Sequence, residues 1–424
     1  MGLLNNLVFR KMDAFIQYQN DLYNKNKRDF ADLGSINWMN QWAMEYHEQA
    51  RKELLDAIGA TLLFKETKPY HNHISKGCSI CGAGQWSCLF ITGVCNANCF
   101  YCPASQNTEE LPQSQGLTFE TPESYAEYIN HFGFTGASFS GGEPLLVFDK
   151  VVAYLKAIRQ MCSPDVYTWM YTNGILGSPA IFETLGREGL NEVRFDIGAT
   201  RYKLDAVAMV QNSIPVVTIE IPAVPEKVEL IKELLPQMEA LGVQNLNLHQ
   251  LRLTRYNAPK LLKHNYTYIP VERPIVAESE LAALEIIKHV HQTGLKLGVN
   301  YCSFHYKNRF QKAGFRKIVA QKFIHPEEII TQNGYVRNRN AFSLNYETFS
   351  IYDELNPKAA VPTYSLELKH KKYLISRHLA SRVVVNNIAP HSVSEVIDFE
   401  PSDVPTDEVL FKIWQFEHIE KGLR

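Results

Sequence analysis

Between residues 86 and 301 the sequence alternates between short apolar runs typical of strands and amphipathic runs with helical spacing. The predicted strands are 86–92, 136–140, 166–172, 192–197, 216–221, 245–248 and 296–301, and the predicted helices are 122–132, 148–161, 179–188, 203–212, 228–241 and 278–293. Runs such as 216–221 are apolar at almost every position, which is typical of parallel strands covered on both faces. The pattern predicts an α/β fold, a full or partial (β/α) barrel with its chemistry at the carboxyl ends of the strands.

The segments on either side of this alternation have a different character. Residues 1–75 carry charges and apolar residues at helical spacing, so we expect an N-terminal helical segment. The barrel is expected to span residues 76–306. Residues 307–424 are expected to form a C-terminal extension, and their pattern does not specify a fold.

Composition excludes several classes of protein. The formal net charge is −2 and the pI is about 6.7, so nothing in the charge balance calls for nucleic acid or an anionic membrane. The first residues carry charges at Arg10, Lys11 and Asp13, which leaves no room for the apolar core of a signal peptide. No stretch approaches the roughly 18 apolar residues of a membrane span. We therefore expect a cytoplasmic protein. In that compartment, clustered cysteines are more typical of a metal site than of disulfides.

Three cysteines follow the first predicted strand at close spacing. Cys95, Cys99 and Cys102 stand in the run GVCNANCFYCP, with three and then two residues between them. Three thiolates at this spacing can bind one face of an iron–sulfur cubane and leave one iron open for a ligand. A zinc knuckle or three buried thiols are the alternatives that the spacing alone leaves open.

This motif resembles the signature of the radical S-adenosylmethionine (SAM) superfamily, because an aromatic residue precedes the last cysteine. The resemblance implies that SAM chelates the open iron of a [4Fe–4S] cluster through its amino and carboxylate groups. An electron from the cluster then splits SAM into methionine and a 5′-deoxyadenosyl radical. Tyr101 matches the position that contacts adenine in the family, and the barrel predicted from periodicity agrees with the family fold.

Two further motifs follow the second and third strands. The run Ser140, Gly141, Gly142, Glu143 resembles the superfamily's GGEP motif, which receives the SAM ammonium group. Two glycines allow a close backbone approach, and a carboxylate offers a cation an acceptor. The pair Thr172 and Asn173 resembles the TNG that borders the SAM ribose and methionine. An ordinary turn is the alternative at both places.

Charged and polar residues also stand at the ends of later strands. Asp196 and Glu220 interrupt apolar strands, and the resemblance implies that they contact SAM hydroxyls; carboxylates paired in the core are the alternative. Asn247, His249 and Gln250 follow the sixth strand and are candidates to face substrate, or residues of the barrel lip without a role.

The remaining cysteines define a second candidate metal site. Cys78 and Cys81 form a CxxC in a predicted loop, residues 71–84, before the first strand, and Cys302 ends the last strand. First and last strands meet when a barrel closes, so these three could bind zinc or a second iron–sulfur cluster. The candidates for a fourth ligand are Cys88, His71, His73, His305 or a group from outside the protein. Free thiols or a redox CxxC are the alternatives. Cys88 is expected in the core, and Cys162 is expected to be inert.

The sequence over roughly residues 75–320 is similar to a group related to pyruvate formate-lyase-activating enzymes. The resemblance implies a radical SAM enzyme that abstracts hydrogen from an unidentified substrate, with an electron donor such as flavodoxin or ferredoxin. An activase or maturase acting on a protein or peptide is one alternative, and a non-catalytic iron–sulfur or zinc scaffold is another. No cysteine follows Cys302, so the cysteine-rich extension of many peptide maturases is not predicted.

Overall fold

The computed structural model describes residues 20–323, with gaps at residues 22, 60, 64–66, 211–212 and 272, and eight short strands after residue 327. The strands of the main part are β1 (Thr61–Leu63), β2 (Lys68–His71), β3 (Trp86–Val94), β4 (Asn107–Thr108), β5 (Gln113–Ser114), β6 (Leu117–Thr118), β7 (Gly136–Gly141), β8 (Tyr167–Thr172), β9 (Glu192–Phe195), β10 (Val216–Pro222), β11 (Asn245–His249), β12 (Tyr268–Ile269), β13 (Ile275–Val276) and β14 (Gly298–Cys302).

The helices are α1 (Gln41–Ile58), α2 (Lys76–Gly82), α3 (Pro122–Phe132), α4 (Phe148–Met161), α5 (Pro179–Arg187), α6 (Asp205–Ala208), α7 (Val228–Ala240), α8 (Ala258–Leu261), α9 (Ala277–Thr293), α10 (Phe304–Tyr306) and α11 (Lys312–Phe323). A π-helical turn, Lys307–Gln311, joins α10 to α11, and 3-10 turns occupy Ala31–Leu33, Pro144–Val147, Ile197–Thr200 and Pro225–Lys227. The later strands are Glu328–Ile330, Val336–Asn338, Phe342–Ser343, Ser365–Leu368, Lys371–Leu374, Ser376–Arg377, Val383–Val384 and Ala389–Pro390.

Seven parallel strands form the centre of the fold, in the order β3-β7-β8-β9-β10-β11-β14. At one edge β2 pairs antiparallel with β14, and at the other β5 pairs antiparallel with β3. Within the described residues these two edges do not pair with each other. The predicted (β/α) barrel is therefore present in its partial form.

Local sequence explains where the helices begin and end. Thr121 caps α3 by accepting a hydrogen bond from the backbone N–H of Ser124, and proline fills the first turn of the helix. The helix ends at Gly133, whose φ of 65° is left-handed and suits glycine. Ser178 caps α5 in the same way. Residues at the helix ends therefore determine where these two connecting helices begin and where the first of them stops.

The two faces of the sheet differ in chemistry. The outer face is a large apolar core between the strands and their helices, in which residues such as Leu89, Ile219 and Leu246 are fully buried. The inner face instead carries a connected row of polar side chains. Hydrogen bonds and ion pairs join, in order, Lys68, Asn300, Asn247, Glu220, Arg194 and Glu192. This row forms the layer beneath the barrel mouth.

Three sequence predictions for individual elements are wrong. The predicted helix 203–212 is only the single turn α6 in the described residues. Part of the segment expected to be helical forms β1 and β2, because Pro69 and a buried lysine hide the signal of an edge strand. The predicted loop after residue 71 contains the short helix α2. Residues 1–19 lie outside the described residues.

The predicted domain boundaries at residues 75 and 306 stay predictions. The strand β2 lies before the first boundary and yet extends the barrel sheet. The helical run from α10 to α11 crosses the second. Among the helices of residues 20–323, none combines the length and apolar character that a membrane crossing needs.

Candidate active site

The cysteine loop begins where β3 ends, and hydrogen bonds fix its shape. The backbone N–H of Cys95 donates to the carbonyl of Gln106 over 2.9 Å. The amide of Asn173, from the next-but-one strand, donates to the side chain of Asn96 over 2.7 Å and lies 3.8 Å from the Cys95 sulfur. The backbone N–H of Ala97 points at the same sulfur, 3.4 Å away. These contacts hold the cysteine loop beside the carboxyl ends of β3 and β8.

Cys95, Cys99 and Cys102 all line one cavity of 490 Å³ at the carboxyl ends of the strands. Every residue predicted to bind the cofactor lines the same cavity: Tyr101, Ser140, Gly141, Gly142, Glu143, Thr172, Asn173, Asp196 and Glu220. Elements separated by more than 100 residues in the chain thus contribute to one site. Their individual roles remain predictions.

The two glycines of the second motif lie directly against β3. The N–H of Gly142 donates to the carbonyl of Thr92 over 2.7 Å. A β-carbon at Gly142 would lie 1.9 Å from the carbonyl oxygen of Val94, so no other residue fits. Gly141 adopts a φ of 126°, which L-residues avoid. Glycine is needed here for the backbone approach itself.

The Glu143 carboxylate is almost fully buried and already engaged by the protein. One oxygen accepts hydrogen bonds from the Leu145 N–H and the Thr172 hydroxyl, at 3.0 and 2.7 Å. The other accepts from the backbone N–H of Asn173 at 2.7 Å. Burial raises the pKa of this carboxyl, and these three bonds oppose the rise. Glu143 therefore ties the second motif to the third, which sequence reasoning did not foresee.

Tyr101 and Asp196 form a pair beside the cysteines. The Tyr101 hydroxyl donates to both carboxylate oxygens of Asp196, at 2.8 and 3.0 Å. Burial raises the pKa of Asp196 to about 6, against the opposing effect of this hydrogen bond. A β-carbon at Gly198 would lie 2.4 Å from the Tyr101 oxygen, so glycine there makes room for the ring. The tyrosine is thereby fixed over one side of the cavity.

Glu220 belongs to the buried polar row as well as to the cavity wall. Its carboxylate pairs with Arg194 at 2.8 Å and accepts a hydrogen bond from Asn247 at 3.0 Å. Burial acts to raise the pKa of Glu220, but the charge of Arg194 and the hydrogen bond from Asn247 outweigh this effect and lower the pKa. Glu220 is therefore a paired carboxylate, which was the alternative prediction, and it also lines the cavity. Asn247 lies within the row and not at the lip.

Of the three residues predicted to face substrate, only His249 lines the cavity. Asn247 and Gln250 do not line it. Burial, followed by the charge of Lys307, lowers the pKa of His249 to about 4, so the imidazole is neutral at neutral pH. The Gln250 side chain instead accepts a hydrogen bond from the Phe304 N–H at 3.0 Å and so holds the start of α10.

Sequence reasoning also missed cavity residues on β3. Trp86, Cys88 and Phe90 point inward at alternate positions and line the cavity. The expectation that Cys88 belongs to the core is therefore wrong, because a strand at a barrel mouth buries only one of its faces in the apolar core. Strict alternation along β3 is the signal that could have found them. Lys307 also lines the cavity, and its position after β14 is the corresponding signal.

The cysteine loop has the donor chemistry of a cluster site. Burial raises the pKa of the Cys99 thiol to about 12, and the neighbouring Asp196, Cys102 and Cys95 raise it further. Within the described part of the chain, no three His, Cys, Asp or Glu side chains converge on a single metal ion. A cubane places each thiolate on a different iron, so its ligands need not converge in that way. The three thiols therefore fit a cluster better than a zinc knuckle.

The other three predicted ligands lie outside this cavity. Cys78 and Cys81 are on α2, and Cys302 ends β14. Lys68 is a buried residue of β2 near all three. Burial acts to lower the pKa of Lys68, and the three cysteines act to raise it. Cys162 is buried, as expected of an inert thiol, and its thiol points to the carbonyl of Ala126 at 3.5 Å.

Comparison with known proteins agrees with this geometry. Residues 89–220 match the family model described as the radical SAM superfamily. A protein of Methanocaldococcus jannaschii named "Putative glycyl-radical enzyme activating enzyme MJ0021" is 26% identical over 273 residues, which cover 62% of this chain and 72% of the relative. A GTP 3′,8-cyclase of Rhodopirellula baltica is 37% identical over 89 residues, which cover 21% of this chain and 24% of that enzyme.

Among solved structures, the chain is similar to SuiB of Streptococcus suis bound to its precursor peptide SuiA. That match has a TM-score of 0.41 and 11% identity, and it covers 76% of this chain and 71% of SuiB.

The matched residues begin inside β3 and end at Glu220, so they include the cysteine loop and all the strand-end motifs that line the cavity. Residues 89–220 therefore form a radical SAM domain.

Proposed function

We propose that the chain cleaves SAM reductively at a [4Fe–4S] cluster held by Cys95, Cys99 and Cys102 and abstracts hydrogen from an organic substrate bound in the same cavity. The observation that carries the proposal is the convergence of the three thiols and all nine predicted SAM residues on one cavity of 490 Å³. When bound, the cluster and SAM together supply a 5′-deoxyadenosyl radical, and an external one-electron donor such as flavodoxin or ferredoxin supplies the electron.

The contribution of the chain to this reaction is binding and orientation. Gly141 and Gly142 bring their backbone against β3 at the wall of the cavity, where we assign the methionine end of SAM. Glu143 keeps Thr172 and Asn173 in register with that backbone. Each of these groups is fixed before a ligand binds, so little conformational entropy is lost on binding.

The adenine end of SAM is assigned to the side of the cavity that holds Tyr101. The hydrogen bond to Asp196 holds the ring in one orientation, which gives a base a rigid aromatic surface to contact. Burial and the nearby Asp196 charge raise the pKa of the Tyr101 hydroxyl, so this group stays a donor across the working pH range.

The substrate is assigned to the wall formed by the ends of β10 and β11 and the residue after α10. This wall presents the paired carboxylate of Glu220, the neutral imidazole of His249 and the ammonium of Lys307. A substrate with a polar or anionic group near the reacting carbon fits such a wall. The buried row beneath it closes the barrel interior below the reaction.

The activase alternative is favoured by one observation, the similarity to the activating enzyme of M. jannaschii. An activase would direct the radical to a protein backbone and not to a small molecule. Its signature would be a stable radical on the partner protein, formed in step with the cleavage of SAM. A released small-molecule product would instead favour the main proposal.

The proposal is tested by SAM binding to the anaerobically reconstituted protein, measured by titration calorimetry. We expect Cys95→Ala/Cys99→Ala/Cys102→Ala to lower the affinity for SAM at least tenfold, because the cluster provides two of the contacts. The control Cys162→Ala removes a buried thiol far from the cavity and should bind SAM as the wild type does. Equal affinity in the triple variant would exclude the cluster as part of the site and would favour a scaffold role.

A further inference from the structure

A second group of thiols lies outside the SAM cavity. Cys78 and Cys81 face one side of the short helix α2, while Cys302 ends β14, more than 200 residues later in the chain. The helix α2 contacts the π-helical turn that follows β14 and α10, so Cys81 lies near the end of the last strand.

The position of β2 explains how α2 reaches the last strand. His71 pairs with Val299, so β2 runs down along β14 and delivers the chain to the base of the barrel. The chain then turns inward, where Ser75 caps α2 and its hydroxyl also accepts a hydrogen bond from Arg194 over 3.2 Å. The helix contacts β7, β8 and the π-helical turn. It thus lies at the base of the inner face of the barrel, beside the turn that follows β14, and a thiol before β3 can approach one after β14.

Close packing fixes the far side of this thiol group. A β-carbon at Gly314 would lie 2.1 Å from the carbonyl oxygen of Ala83, so α11 lies directly on the end of α2. The amide of Gln311, one turn earlier, lies 2.8 Å from the Cys81 sulfur. Phe315 stacks on Phe134 with ring centroids 6.0 Å apart. The thiols therefore have a built wall and not a loose loop around them.

A buried cation stands beside the three thiols. Lys68 is 1% exposed, and its ammonium donates to the side-chain oxygen of Asn300 over 2.6 Å. It also lies 4.6 Å from the centroid of the Tyr306 ring. Asn300 and Cys302 share one face of β14, and the Ser303 hydroxyl donates to the carbonyl of residue 67, which brings Cys302 next to Lys68.

The charge of Lys68 has no carboxylate partner within ion-pair distance among the described residues. Its nearest hydrogen-bond acceptor is a neutral amide, and Glu220 acts on it only at longer range. Burying an ammonium is costly unless a nearby anion compensates the charge. Three neutral thiols do not compensate it, whereas three thiolates bound to metal do.

We propose that Cys78, Cys81 and Cys302 hold a second iron–sulfur cluster, whose negative charge Lys68 compensates. A single zinc ion does not fit, because no three such side chains in the described residues converge on one point. In a cubane each thiolate binds its own iron, so the ligand sulfurs stay roughly 6–7 Å apart. Cys81 and Cys302 are partly exposed, whereas Cys78 is buried.

Buried cysteines alone would not carry this inference, since free cysteine is among the most buried residue types. Cys162 illustrates that case, because it packs beneath α3 and α4 with a backbone carbonyl as its only close polar contact in the described structure. The Cys78 group differs in having three thiols, a helix packed against the inner face of the barrel, and a buried cation.

The experiment measures iron and acid-labile sulfide in anaerobically reconstituted protein. The wild type should hold about eight irons per chain, and Cys95→Ala/Cys99→Ala/Cys102→Ala should keep about four, with Mössbauer parameters of a cubane. The complementary variant Cys78→Ala/Cys81→Ala/Cys302→Ala should also keep about four, while Cys162→Ala should match the wild type.

The decisive sample is the variant without the cluster-loop cysteines, because it needs no change at the second site. If this variant is folded by circular dichroism and holds no iron, or holds one zinc without sulfide, the second cluster is excluded. A variant of the second triad that keeps the wild-type iron content would exclude it as well. Failure of SAM binding in the wild type would count against the proposed function only, so the two proposals are tested separately.

Discussion

At the scale of single residues, the Glu143 carboxylate already has hydrogen-bond partners within the protein. The resemblance assigns this carboxylate to the ammonium group of SAM, but three protein donors already occupy it. A buried acceptor that satisfies backbone N–H groups is costly to replace, because each donor left unpaired keeps its desolvation penalty. We therefore propose that Glu143 acts on SAM through the backbone of Asn173, which its carboxylate positions.

The prediction at this scale concerns Glu143→Gln. A glutamine has one acceptor oxygen, so its NH2 group must face at least one of the three donors. We expect the free energy of unfolding to fall by about 1.5–3 kcal/mol, the value of a hydrogen bond to a charged group. Urea denaturation measures it, with Glu183→Gln on the exposed face of α5 as the control, for which no change is expected. An unchanged unfolding free energy in Glu143→Gln would show that the three bonds contribute nothing.

The sequence specified the identity of the site residues better than their contacts. The cysteines, the glycine pair and the strand-end residues could be found because their types and spacing follow from close approach and metal chemistry. The hydrogen bonds of Glu143 and the inward position of Cys88 could not, since both depend on how neighbouring strands align. A motif gives a position along the chain, whereas a contact needs the register between strands.

At the scale of elements, the N-terminal helix is held to the barrel by a buried ion pair. Glu280 on α9 binds His47 and Arg51 of α1, at 3.1 and 2.9 Å. Burial acts to raise the pKa of Glu280, but the hydrogen bond from His47 and the charge of Arg51 outweigh it and hold the pKa at about 2. The folded state therefore favours the charged carboxylate.

This pKa predicts how stability depends on pH. A depressed carboxyl pKa stabilises the fold above the unfolded value of about 4.3, and this contribution is lost as pH falls towards the folded value. The difference in unfolding free energy between wild type and Glu280→Gln should therefore narrow by about 3 kcal/mol between pH 5 and pH 2. Urea unfolding at a series of pH values measures it, and Glu285→Gln on the same helix should show no such trend. A difference that is constant with pH would refute the ion-pair account.

The order of strands and helices in the barrel was predictable because each unit carries its own periodicity and caps. The elements β1, β2 and α2 were not. The strand β2 contains Pro69 and a buried charge, and α2 has only two turns with glycines near both ends. Their structure is imposed by the barrel that they complete, and local propensity contains little trace of it.

At the scale of the whole molecule, the partial barrel separates two regions of chemistry. The mouth gathers the cysteine loop and the strand-end motifs around one cavity. At the base of the barrel, α2 packs against the inner face of the sheet and α11 packs on the end of α2, and these contacts place the second group of thiols. The buried row from Lys68 to Glu192 runs between the two regions and joins β2 to the middle of the sheet.

The central claim is that this chain cleaves SAM reductively at the cluster of Cys95, Cys99 and Cys102. The direct measurement is the 5′-deoxyadenosine formed when the anaerobically reconstituted enzyme is reduced with dithionite in the presence of SAM, quantified by liquid chromatography and mass spectrometry. The account predicts that the wild type and Cys162→Ala form this product and that Cys99→Ala does not. Intact SAM and no 5′-deoxyadenosine from wild-type protein with a reduced cluster would contradict it.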